Sequence, residues 1–219
     1  MKKLVLFSTV LGAFVFGSKE VFAVAPATSE GTATLQTLDE SEAGTVPPQI
    51  TDPENPTGTG QTGLLTLDAV PTFDFQGTGL AGTFTDTLTQ AQSDASYVRN
   101  AQITDRRGTG AGWSLGLNIS GFKNAEVPLN GVSITIPVDV AAGLDNTSTA
   151  PSVVNAVSGV VDPVNGLDAG TIVAANVGEG YGTWLAKFSG ASLEIADGNA
   201  AGSYKSTFTW TVSTTPIGE

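Results

Sequence analysis

The sequence predicts an all-β protein, in which a single β-sandwich-like domain of short antiparallel strands follows a signal peptide and a disordered linker. From Leu64 onward, apolar and polar residues alternate in short runs separated by Gly, Asn and Asp, which is the pattern of half-buried strands. No segment keeps a 3.6-residue apolar period for long, so long helices are not expected. Roughly 155 residues of evenly spaced strands fit one sandwich or barrel domain. The predicted strands are residues 64–70, 95–104, 111–120, 132–138, 170–177, 183–188, 192–196 and 202–214.

Local signals mark the turns and one break between these strands. The dipeptides Asn130-Gly131 and Asp197-Gly198 favour tight turns. Pro137 falls within an otherwise strand-like run, and proline cannot donate to a β ladder. We therefore expect a sheet edge or a bulge at Pro137.

The N-terminus has the layout of a secretory signal peptide. A short basic stretch, Met1-Lys2-Lys3, precedes an apolar run from Leu4 to Phe16, and small residues then permit cleavage after Ala23 or Ala25. The run is too short for a stable transmembrane helix, and no later segment reaches that length. The protein is therefore expected to be exported, with no direct membrane insertion.

Residues 24–63 are predicted to be a flexible linker. They are rich in Thr, Gly, Pro and Glu and carry few bulky apolar residues, so they cannot offset their ordering entropy by burying apolar surface. The expected organisation is a signal peptide at 1–23, this linker at 24–63 and a β domain at 64–219.

Composition excludes several classes of function. The formal net charge is −12 with nine basic residues, three of them in the predicted signal peptide, which argues against nucleic acid or anionic lipid as a ligand. The chain has no Cys, so disulfides and a lipoprotein anchor are excluded. It also has no His, the commonest general base and metal ligand. No cofactor is predicted.

Carboxylates leave two weaker alternatives. A pair of them could hydrolyse a glycoside, but the candidates are scattered and an enzyme is not expected. Loops at 143–148 and 162–168 carry Asp and Asn, which could bind calcium or simply form turns. The scattered carboxylates are Asp68, Asp74, Asp86 and Asp105.

One basic phrase precedes the first tryptophan strand. Asp105, Arg106 and Arg107 stand before a glycine-rich run that leads to Trp113. Asp105 could pair with either arginine, and an arginine could lie over the indole ring as a cation–π contact. Taken by itself, the phrase is better explained by a surface turn with a modest ion pair.

The tryptophans are expected to pack in the core. In the last predicted strand Phe208, Trp210 and Val212 share one face, while Thr209 and Thr211 share the other. An apolar face opposite a Thr face indicates a half-buried strand, so Trp210 is expected to point inward.

Two widely spaced tryptophan triplets, Trp113-Ser-Leu115 and Trp210-Thr-Val212, resemble the WxL surface-domain family of Gram-positive bacteria. The phrase Phe73-Asp-Phe75 adds to the resemblance. Val212 stands where the family usually has Leu. The resemblance implies a secreted, extracellular protein that associates non-covalently with peptidoglycan. It also implies other surface proteins as partners, including a membrane-anchored WxL-interacting protein.

The resemblance leads to one expected function and one alternative. We expect a non-catalytic cell-wall-binding protein, with a protein-interaction module for a membrane-anchored partner as the alternative. The candidate wall- or partner-binding residues are Trp113, Leu115, Trp210, Val212, Asp105, Arg106 and Arg107.

Overall fold

The structure, a computed structural model, describes residues 30–214. The predicted signal peptide at 1–23 lies outside the described residues. Contacts divide the chain into residues 1–35 and a second unit that begins at Gln36, and every element below belongs to the second unit.

The elements of residues 36–214 are almost entirely strands. A 3₁₀ turn at Glu40–Glu42 and a short helix, α1 (Gln90–Asp94), are the helical elements of this range. The strands are β1 (Leu65–Ala69), β2 (Phe75–Gln76), β3 (Gly82–Asp86), β4 (Asn100–Asp105), β5 (Trp113–Ile119), β6 (Lys123–Asn124), β7 (Val127–Pro128), β8 (Val132–Ile136), β9 (Val138–Ala142), β10 (Val153–Val154), β11 (Val157–Val161), β12 (Leu167–Ala175), β13 (Gly182–Phe188), β14 (Ser192–Ile195) and β15 (Phe208–Ser213).

These strands form three larger sheets and one small hairpin. Sheet A has the order β1-β4-β13-β9, sheet B the order β10-β12-β5-β15, and sheet C the order β11-β8-β14-β3-β2, while β6 pairs with β7. All pairs are antiparallel. Ile103 of sheet A, Leu115 of sheet B and Ile134 of sheet C belong to one buried core. The predicted all-β, sandwich-like fold is confirmed.

The eight predicted strands all overlap observed ones, but seven further strands were missed. Four of the missed strands, β2, β9, β10 and β11, lie at sheet edges. An edge strand has a partner on one side and buries fewer large side chains, so its apolar alternation is weak. Pro137 stands between β8 and β9, where the chain passes from an inner position in sheet C to the edge of sheet A.

The structure differs from the expected flexible linker over residues 43–63, here called the N-terminal strap. The backbone N–H of Gln49 donates to Oε1 of Gln102 at 2.7 Å, and Nε2 of Gln102 donates to the carbonyl of Pro47 at 3.1 Å. The N–H of Thr59 donates to the carbonyl of Asp68 at 2.9 Å. The strap therefore lies against sheet A and is held there by hydrogen bonds.

Candidate functional site

The two tryptophan triplets lie side by side in sheet B. β5 carries the first triplet and pairs with β15, which carries the second. In this register Leu115 stands opposite Val212, and Trp210 stands opposite Leu117. Two short motifs that are almost a hundred residues apart in sequence thus meet on neighbouring strands.

Trp113 and Leu115 are core residues. Both side chains are completely buried, with 0% exposed surface. The indole Nε1 of Trp113 donates to the carbonyl of Gly180 at 2.9 Å. Gly180 has a φ of +72°, and a Cβ there would stand 2.6 Å from that nitrogen. The backbone at Gly180 therefore packs directly against the indole, and the buried ring of Trp113 is not accessible to a ligand.

The predicted ion pair exists, and its basic partner is Arg107. A side-chain nitrogen of Arg107 lies 2.7 Å from Oδ2 of Asp105, whose exposed fraction is 3%. The same nitrogen donates to the carbonyl of Gly112 at 2.6 Å. The pair therefore fixes the glycine-rich loop that leads into β5.

Arg106 points elsewhere and holds the strap. Its guanidinium donates to the carbonyls of Gly44 at 2.6 Å and Gly63 at 2.7 Å, which lie at the two ends of the strap. Among the described residues, the cation–π contact pairs Arg99 with Phe73 rather than an arginine with a tryptophan. The guanidinium of Arg99 lies 5.8 Å from the ring centre of Phe73.

Trp210 occupies a different environment from Trp113. Its side chain is half-buried on the inward face of β15, as the strand pattern predicted, and its ring lies 5.2 Å from that of Phe188. Its Nε1 is shielded from solvent and has no acceptor among residues 30–214. Val212 is also half-buried, while Thr209 and Thr211 on the opposite face are exposed.

Trp210 borders a cavity of about 740 Å³, here called the aromatic groove, which runs between β15 and residues 70–77. β15 is the edge strand of sheet B and β2 is the edge strand of sheet C, so the groove opens where these two sheet edges face each other. The aromatic residues that line it are Phe73, Phe75, Phe84, Phe122, Tyr204, Phe208 and Trp210.

The sequence pattern singled out Trp210 but not the other residues that line this groove. The available signal was the spacing of Phe73 and Phe75, which places both rings on one side of an extended segment. The two rings are nearly parallel, with centres 5.9 Å apart. Phe73 also lies 5.2 Å from Phe208 of β15, so the two walls of the groove meet through these rings.

The titratable groups with shifted pKa values lie outside the groove. Burial raises the pKa of Asp68, against hydrogen bonds from Thr104, Thr66 and Gln102 that favour its charged form. Burial, with the nearby carboxylate of Asp52, raises the pKa of Tyr97 to about 12. Neither group lines the groove, so neither supplies acid or base chemistry there.

In one of the two candidate calcium loops, residues 162–168, an Asp side chain makes the hydrogen bonds of a turn. Oδ1 of Asp162 accepts from the N–H groups of Val164 at 2.9 Å and Asn165 at 2.7 Å. These backbone bonds lower the pKa of Asp162. Within residues 30–214 no three His, Cys, Asp or Glu side chains come together as a metal site. The same residues contain no helix that is long and apolar enough to cross a membrane.

Comparison with known proteins gives one decisive match. The family model described as "WxL domain surface cell wall-binding" matches residues 23–216. The chain belongs to the WxL family. Searches of curated proteins and of solved structures found no match to it.

Membership makes this WxL protein a cell-surface protein whose domain associates with the cell wall. The family is one of binding domains. In this member, the tryptophan of the first triplet is sealed in the core, and that of the second stands at the aromatic groove.

Proposed function

We propose that this WxL protein is an exported, non-catalytic protein that binds peptidoglycan without a covalent link, as part of a surface complex in Gram-positive bacteria. The observation that carries the proposal is the family match across residues 23–216. The signal-like sequence at 1–23 supports export.

The seven candidate residues divide into two roles in this proposal. Trp113, Leu115, Asp105, Arg106 and Arg107 position the binding surface, because the first three are buried and both arginines bond to backbone carbonyls. Trp210 and Val212 belong to the edge strand β15, and Trp210 reaches the groove, so ligand contact is assigned to this end of the motif.

Binding in this proposal does not depend on net charge. The chain carries a formal charge of −12, and anionic wall polymers would be repelled rather than attracted. Stacking on aromatic rings and hydrogen bonds are the remaining sources of affinity, and both survive high salt better than ion pairs between exposed groups.

One observation favours a second candidate function. β15 forms the edge of sheet B, and an edge strand can accept a further strand from another protein. In this alternative the main ligand is a membrane-anchored partner protein, and contact with the wall is indirect.

Co-sedimentation separates the two functions. Purified residues 24–219 are mixed with protein-free Gram-positive cell wall at low and at high salt, and the pelleted fraction is measured. We expect pelleting that persists at high salt. A protein that remains in the supernatant at both salt concentrations contradicts direct wall binding and favours the partner protein. Protein incubated without wall is the control for self-aggregation.

A further inference from the structure

We infer that the aromatic groove is a subsite for uncharged sugar rings, so that the ligand part bound there is a glycan backbone rather than a peptide or an anionic polymer. The inference rests on the proposed function, because it names which chemical part of the wall is held and where. The ligand then contacts the groove between Trp210 and residues 70–77, rather than both tryptophan triplets.

Aromatic rings line the groove from two sides. Phe73 and Phe75 come from the segment before and within β2, and Phe208 and Trp210 come from β15. Each of these four rings is half-buried, so each one keeps part of its surface outside the core. A pyranose ring has an apolar face of C–H groups that packs flat against an aromatic ring, while its hydroxyls point sideways to polar partners.

The charge of the lining fits a neutral ligand. Among its residues, one acid and one base, Asp74 and Lys205, carry formal charge, so the lining is close to neutral on a chain of net charge −12. A phosphate-rich polymer would find no basic cluster there to offset this field. A neutral glycan meets no such repulsion.

Polar groups at the rim supply hydrogen bonds for sugar hydroxyls. Thr72, Gln76 and Ser203 are exposed and line the groove together with the half-buried Ser206. Hydroxyl and amide groups both donate and accept, which suits a ligand whose hydroxyls do the same. An apolar lining with a few polar groups, at about 740 Å³, lies within the usual range of small-ligand sites, roughly 300–1,000 Å³.

The indole N–H of Trp210 provides the group to observe. A shielded donor without an acceptor is uncommon in folded proteins. An oxygen of a bound sugar, such as an N-acetyl carbonyl, would supply that acceptor after a small movement of the ring. The other two indoles are already engaged, Trp113 with the carbonyl of Gly180 and Trp184 with that of Tyr181.

The test follows the three indole N–H signals by NMR. Residues 24–219 labelled with ¹⁵N are titrated with chitotetraose, an uncharged β-1,4-linked tetramer of N-acetylglucosamine, and Trp210→Phe identifies the Trp210 signal. We expect that signal to move and saturate, while the Trp113 and Trp184 signals stay in place. No movement of the Trp210 signal at millimolar sugar overturns the inference, as does equal movement of all three.

Matched variants show whether the rings themselves are responsible. Phe75→Leu keeps an apolar side chain but removes the aromatic face, and should weaken sugar binding roughly three- to tenfold. Val160→Ala, on the exposed side of β11 and outside the groove, should leave it unchanged. Circular dichroism verifies that both variants are folded. Unaltered affinity in a folded Phe75→Leu contradicts the stacking.

Further outcomes separate this inference from the proposed function. If the wild type pellets with wall but the sugar leaves Trp210 unmoved, the groove inference fails and wall binding stands. If the wild type does not pellet, the wall proposal fails, and the sugar titration still decides whether the groove binds glycan. If a sugar-free stem peptide of peptidoglycan moves the Trp210 signal and chitotetraose does not, the occupant is a peptide and the inference is wrong.

Discussion

Replacing each motif tryptophan with phenylalanine should give two very different losses of stability. Trp113→Phe removes the indole N–H that donates to the carbonyl of Gly180 at 2.9 Å, and it shortens a side chain with 0% exposed surface. Trp210→Phe makes the same chemical change at a half-buried site whose N–H has no acceptor among the described residues. Comparing the two variants therefore isolates the effect of the surroundings of each tryptophan on stability.

The expected magnitude for Trp113→Phe follows from two contributions. Phenylalanine is smaller by about 40 Å³, and a cavity costs about 24 cal/mol per Å³, which gives roughly 1 kcal/mol. Leaving the buried carbonyl of Gly180 without its donor costs about 1–3 kcal/mol more. The free energy of unfolding should fall by about 2–4 kcal/mol. For Trp210→Phe neither contribution applies in full, and we expect a loss below about 1 kcal/mol.

Urea denaturation followed by far-ultraviolet circular dichroism measures both variants, because this signal comes mainly from the backbone. A shift in midpoint at unchanged slope reports a change in stability. Folded Trp113→Phe should still pellet with cell wall, since the side chain of Trp113 is fully buried in the core. A loss below about 1 kcal/mol for Trp113→Phe, or an equal loss for both variants, would refute this account of the motif.

Three other perturbations test the structure more widely. Gly180→Ala should lower the free energy of unfolding by more than about 2 kcal/mol, because its Cβ would stand 2.4 Å from that of Ala175, whereas Gly190→Ala, with a similar φ but open space, should cost about 1 kcal/mol in the same urea assay. Asp68 has a raised pKa, so it contributes stability that is present at low pH and is lost as pH rises through the folded pKa. Urea unfolding at several pH values should therefore show that the stability of the wild type increases relative to that of Asp68→Asn as the pH falls toward 3.8, the ordinary pKa of an Asp. A stability difference that does not change with pH contradicts this. A chain that starts at residue 64 should melt roughly 10 °C below one that starts at residue 36, because it loses the hydrogen bonds of the strap; equal melting temperatures in calorimetry would show that the strap contributes nothing.

Much of the fold could be predicted because alternation survives wherever one strand face is buried. In β15 the half-buried residues Phe208, Trp210 and Val212 alternate with exposed threonines, and the sequence pattern is enough to place them. β4 is different, since all of its residues are buried on both faces. One of them is the polar Gln102, whose Nε2 donates to the carbonyl of Pro47 in the strap, so a polar residue here does not mark a solvent-facing position.

The candidate site was predicted only in part for a related reason. Trp113 and Trp210 look alike as sequence motifs, yet their surroundings depend on which sheet edge lies nearby. The groove exists because residues 70–77, far from both motifs in sequence, lie opposite β15. Neither the periodicity nor the motifs predict that residues 70–77 lie opposite β15, because this depends on the order of strands in two different sheets.

The position of β5 within sheet B has a consequence for the order in which the protein can fold. Leu115 pairs with Val173 on one side and with Val212 on the other, 58 and 97 residues later in the chain. Such long loops must close before these contacts stabilise anything, so folding should be slow and highly cooperative. A chain still growing from its N-terminus, or one cut before residue 208, leaves Leu115 and Leu117 on an open apolar edge. β15 therefore covers the edge of β5, and a chain without β15 would leave that edge open to pairing with another chain.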